Sequence, residues 1–183
     1  MRSHGKILNA TLGLIADAGF EGVSIAAVAH RAGVSRQTVY SIFGSREELV
    51  SQAMAGLAEE VLGNIRSRLN SVETAVEYVV EFIVAGRAVV RADPILTGLL
   101  HARTGNPLFD AGMMGRAKVV ARQLLARVVD LDARLEPDLD DIAGIVIRLG
   151  LSVIVFDDDE VRDDDDLRRF LTRWLQPALA CTS

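Results

Sequence analysis

The first 93 residues of this 183-residue chain contain no proline. Pro94, Pro107, Pro137 and Pro177 are the whole complement, and aromatic residues make up only 5%. A β-sandwich or barrel needs a turn about every ten residues. A long stretch without proline suits uninterrupted helices, because proline locks φ and removes a backbone donor. The spacing of apolar residues predicts an all-α fold of nine helices.

Other broad classes are excluded on composition. With 50% hydrophobic and 25% charged residues the chain is globular rather than disordered. A single cysteine, Cys181, makes neither an internal disulfide nor a thiolate metal site. The longest largely apolar run, Gly144 to Phe156, is interrupted by Arg148 and Ser152 and is too short to span a bilayer. No basic-then-apolar leader is recognisable. The expectation is a soluble, cytoplasmic chain with no membrane contact.

Local signals place the helices. Ile7, Leu8, Leu12, Ile15 and Ala16 recur at helical spacing, with Thr11 on the same face and Gly19 ending the element. Ser24 is the candidate N-cap of a short second helix carrying Ile25, Val28 and Ala29. Gly33 supplies a left-handed turn, and Ser35 caps a third helix from about Arg36 to Ile42. Ser45-Arg46-Glu47-Glu48 reads as a capping box that opens a long helix to about Leu69. An apolar stripe from Val72 to Val90 marks the next helix, and Asp93-Pro94 and Asn106-Pro107 each pair a capping residue with a proline at the first helical position. Helices follow from about Asp138 to Phe156 and from about Asp165, the last expected to end or kink at Pro177.

The 142–156 segment carries two apolar stripes. Either the helix is fully buried, or Ile142, Ile145, Val146, Leu149 and Val153 meet the chain's own core while Ala143, Ile147, Gly150 and Ile154 meet a partner subunit. Leu167, Phe170, Leu171, Trp174 and Leu175 would extend that interface.

The most informative stretch is Ala29-His30-Arg31-Ala32-Gly33-Val34-Ser35-Arg36-Gln37-Thr38-Val39-Tyr40-Ser41-Ile42-Phe43. Two short helices crossing steeply need a small residue at the contact, which Ala29 supplies. The turn needs a glycine and an apolar plug, Gly33 and Val34. Val39, Ile42 and Phe43 share the inner side of the second helix, leaving Arg36, Gln37, Tyr40 and Ser41 facing out and Thr38 at the margin. Arg, Gln and Thr near a helix N-terminus suit base edges in the major groove; Tyr and Ser suit phosphate oxygens.

Over about residues 7–50 these elements resemble the N-terminal domain of the TetR/AcrR family of transcriptional regulators. The matching elements are Gly19-Phe20, Val23-Ser24-Ile25, Ala32-Gly33-Val34-Ser35, Thr38-Val39-Tyr40, Phe43 and Ser45-Arg46-Glu47-Glu48-Leu49. The resemblance implies a DNA-binding domain over 1–50 and a ligand-binding and dimerisation domain over 51–183. It implies a homodimeric repressor on a palindromic double-stranded operator, released by a small molecule and using no cofactor. Ser24, Ser35, Arg36, Gln37, Thr38, Tyr40, Ser41 and Arg46 become the candidate DNA contacts: Ser24 and Tyr40 at phosphate, Arg46 at the basic position opening the fourth helix. The chain departs from the family in Ile42, where an aromatic or histidine is common, and in Ala26 and Ala27, where a basic residue is common. Fewer phosphate contacts imply weaker, less salt-dependent binding.

Charge agrees. The net charge is −5, yet residues 1–46 carry +3 and residues 47–183 carry −8. A basic end on an acidic body admits a polyanion at that end only. His4, His30 and His101 have no metal-ligand or nucleophile–base spacing, so neither a catalytic nor a metal site is expected. The acidic run 157–166 reads as a solvated loop whose last aspartates start a helix; a metal-dependent enzyme or sensor is the remote alternative. A helix-turn-helix interaction module without operator binding is a further alternative. Phe82, His101, Phe109, Met113, Met114 and Arg148 are candidate lining residues of an effector pocket. The aliphatic composition beyond residue 70 favours an apolar effector. The homodimer is expected through about 138–156 and 165–180.

Overall fold

The computed structural model describes residues 2–101, 112–156 and 161–180. The helices among them are α1 (Arg2–Ala18), α2 (Ile25–Ala32), α3 (Arg36–Phe43), α4 (Arg46–Leu69), α5 (Ala75–Ala92), α6 (Pro94–His101), α7 (Met113–Leu131), α8 (Leu139–Val155) and α9 (Asp164–Ala180). Short 3-10 turns lie at Phe20–Gly22 and Ala133–Leu135. The fold is all-α, and no helix among the described residues is long and apolar enough to cross a membrane.

The chain forms two compact units. The first takes the described residues up to Val61 together with α6; the second takes Leu62 to Ala92 and the described residues from Gly112 onward. The first unit extends into α4 as far as Val61, with Ala53 and Leu57 buried in its core. Ile7, Ile15, Val28, Val39, Phe43 and Leu49 fill the rest of that core, and Leu99 of α6 joins it. Thr11 is fully buried there, its hydroxyl donating to the Ile7 carbonyl at 2.8 Å. That bond removes the cost of burying a polar group. Asp93 caps α6 as its spacing predicts, accepting the Ile95 N–H at 2.7 Å.

In the second unit α5 packs against α7, α8 and α9, so it is buried on nearly every side. That arrangement corrects the expectation for α8. Ile142 and Val146 are buried as the wheel predicts, but Ala143 is also fully buried and Ile145 is 49% exposed. Contact with both α5 and α7 draws the supposed partner-facing residue Ala143 into the unit's own core. Ile147, Gly150 and Ile154 are half-buried, and the exposed residues of α8 and its C-cap are Asp140, Asp141, Ile145, Arg148, Ser152, Val155 and Phe156.

Two further features were not anticipated. Helix α9 continues through Pro177 to Ala180, with Leu175 and Leu179 both buried on one stripe. Arg87, in the middle of α5, is only 2% exposed. Its guanidinium donates to the carbonyls of Val161 (2.8 Å) and Asp163 (3.2 Å) and lies 3.8 Å from the Asp164 carboxylate. A buried cation thereby anchors the backbone that leads into α9.

The acidic run resolves into helix-start chemistry where it is described; residues 157–160 lie outside the described residues. Asp163 accepts the Asp166 N–H at 2.8 Å, a side-chain cap on the first turn of α9. Asp165 pairs with Arg168, and Asp166 with Arg169. Arg168 also forms a two-point contact with Glu81 of α5, and this raises its pKa above the ordinary arginine value.

Candidate nucleic-acid interface

Three local devices build the helix-turn-helix. The Ser24 Oγ accepts the Ala27 N–H at 3.1 Å and caps α2. Gly33 ends that helix at φ 67 and ψ 37, a left-handed conformation, and the Val34 N–H closes the turn on the Ala29 carbonyl at 3.0 Å. A residue with a Cβ pays a steric penalty in that conformation, which is why the turn calls for glycine. The Ser35 Oγ accepts the Thr38 N–H at 3.0 Å and starts α3.

These caps use each serine oxygen as an acceptor. The hydroxyl proton of Ser24 stays available to donate to a phosphate oxygen. Ser35 is engaged further, its Oγ lying 2.8 Å from the Thr38 hydroxyl. Thr38 is half-buried, whereas Arg36, Gln37, Tyr40 and Ser41 are exposed, Tyr40 by 56%. Val39 and Phe43 are buried on the inner side as expected; Ile42 is not, at 39% exposure, and lies on the rim of the polar face.

The basic residues divide in a way the sequence does not reveal. Arg31 pairs with Asp17 of α1 and lies so close over Gly13 that a Cβ there would meet its guanidinium at 2.6 Å. Arg46 turns inward: its Nε donates to the Val23 carbonyl at 2.7 Å and its Nη2 to the Phe20 carbonyl. The DNA contact that the resemblance implied for Arg46 thus meets a guanidinium already bonded to backbone. Arg36 makes no hydrogen bond or ion pair among the described residues. His4 is in α1, its ring 4.9 Å from that of Phe43.

The capping box at Ser45 is half formed. The Glu48 N–H donates to Ser45 Oγ at 3.0 Å, but the Ser45 N–H donates to the Phe43 carbonyl at 2.8 Å. The Glu48 carboxylate accepts instead from Gln52 Nε2 at 2.7 Å.

Four of the six candidate effector residues have described side chains. Phe82, Met113 and Met114 are half-buried, and Arg148 is exposed, donating from Nη1 to the Gly144 carbonyl at 2.9 Å. His101 closes α6, with its side chain outside the described residues, as is all of Phe109. Two clefts of the second unit, one beside Glu81 and Arg168 and one beside Phe156 and Phe170, are lined by none of the four described candidates. Among the described residues no group of three or more His, Cys, Asp or Glu could hold a metal ion.

Residues 7–53 match the family model for bacterial regulatory proteins of the tetR family. Over 173 residues the chain is 26% identical to the HTH-type transcriptional regulator AlkX of Mycobacterium tuberculosis, covering 91% of this chain and 82% of that one. Among solved structures, the TetR family repressor AlkX of a Dietzia strain, implicated in biodegradation of n-alkanes, aligns with a TM-score of 0.62 at 25% identity. That alignment covers 98% of this chain and 96% of the Dietzia chain. A TetR-like regulator from a Rhodococcus species shares the fold, with a TM-score of 0.68 at 16% identity over 98% of this chain and 96% of that one. With its N-terminal helices built and matched in this way, the chain carries over residues 7–53 a helix-turn-helix domain of the tetR type and is similar to TetR-family transcriptional regulators beyond it.

Proposed function

We propose that the protein is a homodimeric repressor that holds a palindromic operator through α2 and α3 and releases it on binding a small apolar effector. The observation that carries the operator reading is the exposed, uncommitted polar face of α3 set on a rigid Gly33 turn. Its contacts would be Ser24 and Tyr40 at phosphate and Arg36, Gln37 and Ser41 toward the groove.

Dimerisation is supported by apolar surface on the second unit. Ile145, Val155 and Phe156 at α8, and Phe170 and Trp174 on α9, are 47–69% exposed. Phe156 and Phe170 line a common cleft, so exposed apolar side chains from the end of α8 and from α9 meet there. Apolar patches of this kind mark association sites, and an isologous pairing would set two recognition helices against half-sites about 34–36 Å apart or a multiple of it.

The effector class rests on the aliphatic interior of the second unit and on the Dietzia repressor's link to n-alkanes. The test is fluorescence anisotropy of the purified chain on duplexes from the DNA flanking its gene. The expected result is saturable binding with two chains per duplex, weakened roughly 5- to 150-fold by an n-alkane or 1-alkanol probe. Binding no tighter than to random duplex would overturn the operator reading. Operator binding that no such probe weakens would overturn the effector class alone.

A further inference from the structure

Arg31, Arg36 and Arg46 are the arginines of the helix-turn-helix and the start of α4, and the fold uses them differently. Arg31 is held by Asp17 and Arg46 by two backbone carbonyls. Arg36, at the first position of α3, keeps its whole donor set uncommitted among the described residues, as does the exposed carboxamide of Gln37 beside it. Thr38 differs, because its hydroxyl is bonded to Ser35. Tyr40 and Ser41 each offer a single hydroxyl oxygen, not the two separate polar atoms of a guanidinium fork or a carboxamide.

Building on the operator reading, we infer that Arg36 and Gln37 together set the base identity of each half-site, Arg36 reading a guanine and Gln37 an adenine. The guanidinium fork matches the O6 and N7 acceptors of guanine in the major groove. The carboxamide offers one donor and one acceptor, which match N7 and N6 of adenine. Consecutive residues of a helix differ by about 1.5 Å in rise and about 100° in direction, so the two bases are near neighbours in one half-site. Thr38 contributes by holding the first turn of α3 against Ser35 and reads no base.

The experiment enriches duplexes from a random pool with the full-length chain and sequences them. The wild type is expected to return half-sites with a fixed G·C pair and a nearby fixed A·T pair. Replacing that guanine by 7-deazaguanine removes the N7 acceptor and should weaken the wild type by at least about fivefold. Arg36→Ala should bind both duplexes equally, more weakly than the wild type binds the unmodified one. Gln37→Glu is nearly isosteric but accepts only, so it should move preference from the adenine to a cytosine, whose N4 amino group donates.

Both side chains are exposed, so circular dichroism of the variants should match the wild type. An Arg36→Ala chain that enriches the same guanine, or a wild type indifferent to 7-deazaguanine, would overturn the base assignment while leaving operator binding intact. A wild type that enriches no duplex overturns the operator reading and the assignment with it.

Discussion

Arg46 reaches back along the chain to Val23, donating from Nε to its carbonyl at 2.7 Å and from Nη2 to that of Phe20. The first turn of α4 is thereby tied to the backbone immediately before Ser24, the cap of α2. Displacement of the start of α4 pulls directly on a residue proposed to touch phosphate.

Arg46→Ala should therefore lower the stability of the DNA-binding unit by about 1.5–3 kcal/mol, the range for hydrogen bonds made by a charged donor. Arg46→Lys should recover only part, since an ammonium lacks the planar fork. The urea midpoint reads the stability. The slope of log affinity against log salt should match the wild type's; a lost phosphate contact would lower it by about 0.9 per chain.

Gly33→Ala should cost about 1–2 kcal/mol, all of it from the left-handed backbone, since an added Cβ meets nothing within 4 Å. Gly33→Asn should cost less, because asparagine tolerates that conformation. Thermal unfolding of the two variants checks the order, which would be equal if crowding rather than φ were the constraint.

Assembly is tested at the exposed patch. Ile145→Glu combined with Phe170→Glu should leave each chain folded, because both side chains are already about half exposed, yet convert a dimer to monomers at micromolar concentration. Light scattering after gel filtration reads the mass. A charged residue at Ala143 would instead disrupt the unit itself, since that position is fully buried.

The Asp163 cap makes stability depend on pH. The Asp166 N–H bonded to its carboxylate holds its pKa below the ordinary aspartate value of 3.8; desolvation opposes this, and the Asp165 N–H and Arg169 and Arg162 add to the lowering. A depressed folded-state pKa means that the contribution is present above the unfolded value and lost as pH falls through the folded one. Asp163→Ala should be less stable than the wild type at neutral pH, with the difference shrinking below about pH 4. Urea titrations at pH 7 and pH 3 check the convergence.

Much of this molecule was legible before folding because its signals are local. Ser24, Ser35 and Asp93 each bond to a backbone N–H two or three residues ahead. Gly33 ends its helix through its own φ, and the long helix expected from the Ser45 signal runs to Leu69. Such features need only residue type and spacing, so the helix-turn-helix and the exposed face of α3 can be read directly from the residues.

The features that only the tertiary structure decided are those whose partners are distant along the chain. Arg46 is 23 residues from Val23, Arg31 is 14 from Asp17, and Arg87 is 74 from Val161. No sequence window distinguishes these from the uncommitted Arg36, because a guanidinium carries the same chemistry until packing brings an acceptor to it. The same limit applies to α8, where a helical wheel separates two stripes but not which neighbours will cover them. Contact with both α5 and α7 buried Ala143 and left Ile145 outside. Local hydrogen bonding is written in residue order, whereas the partner of a long side chain is settled only when distant helices meet.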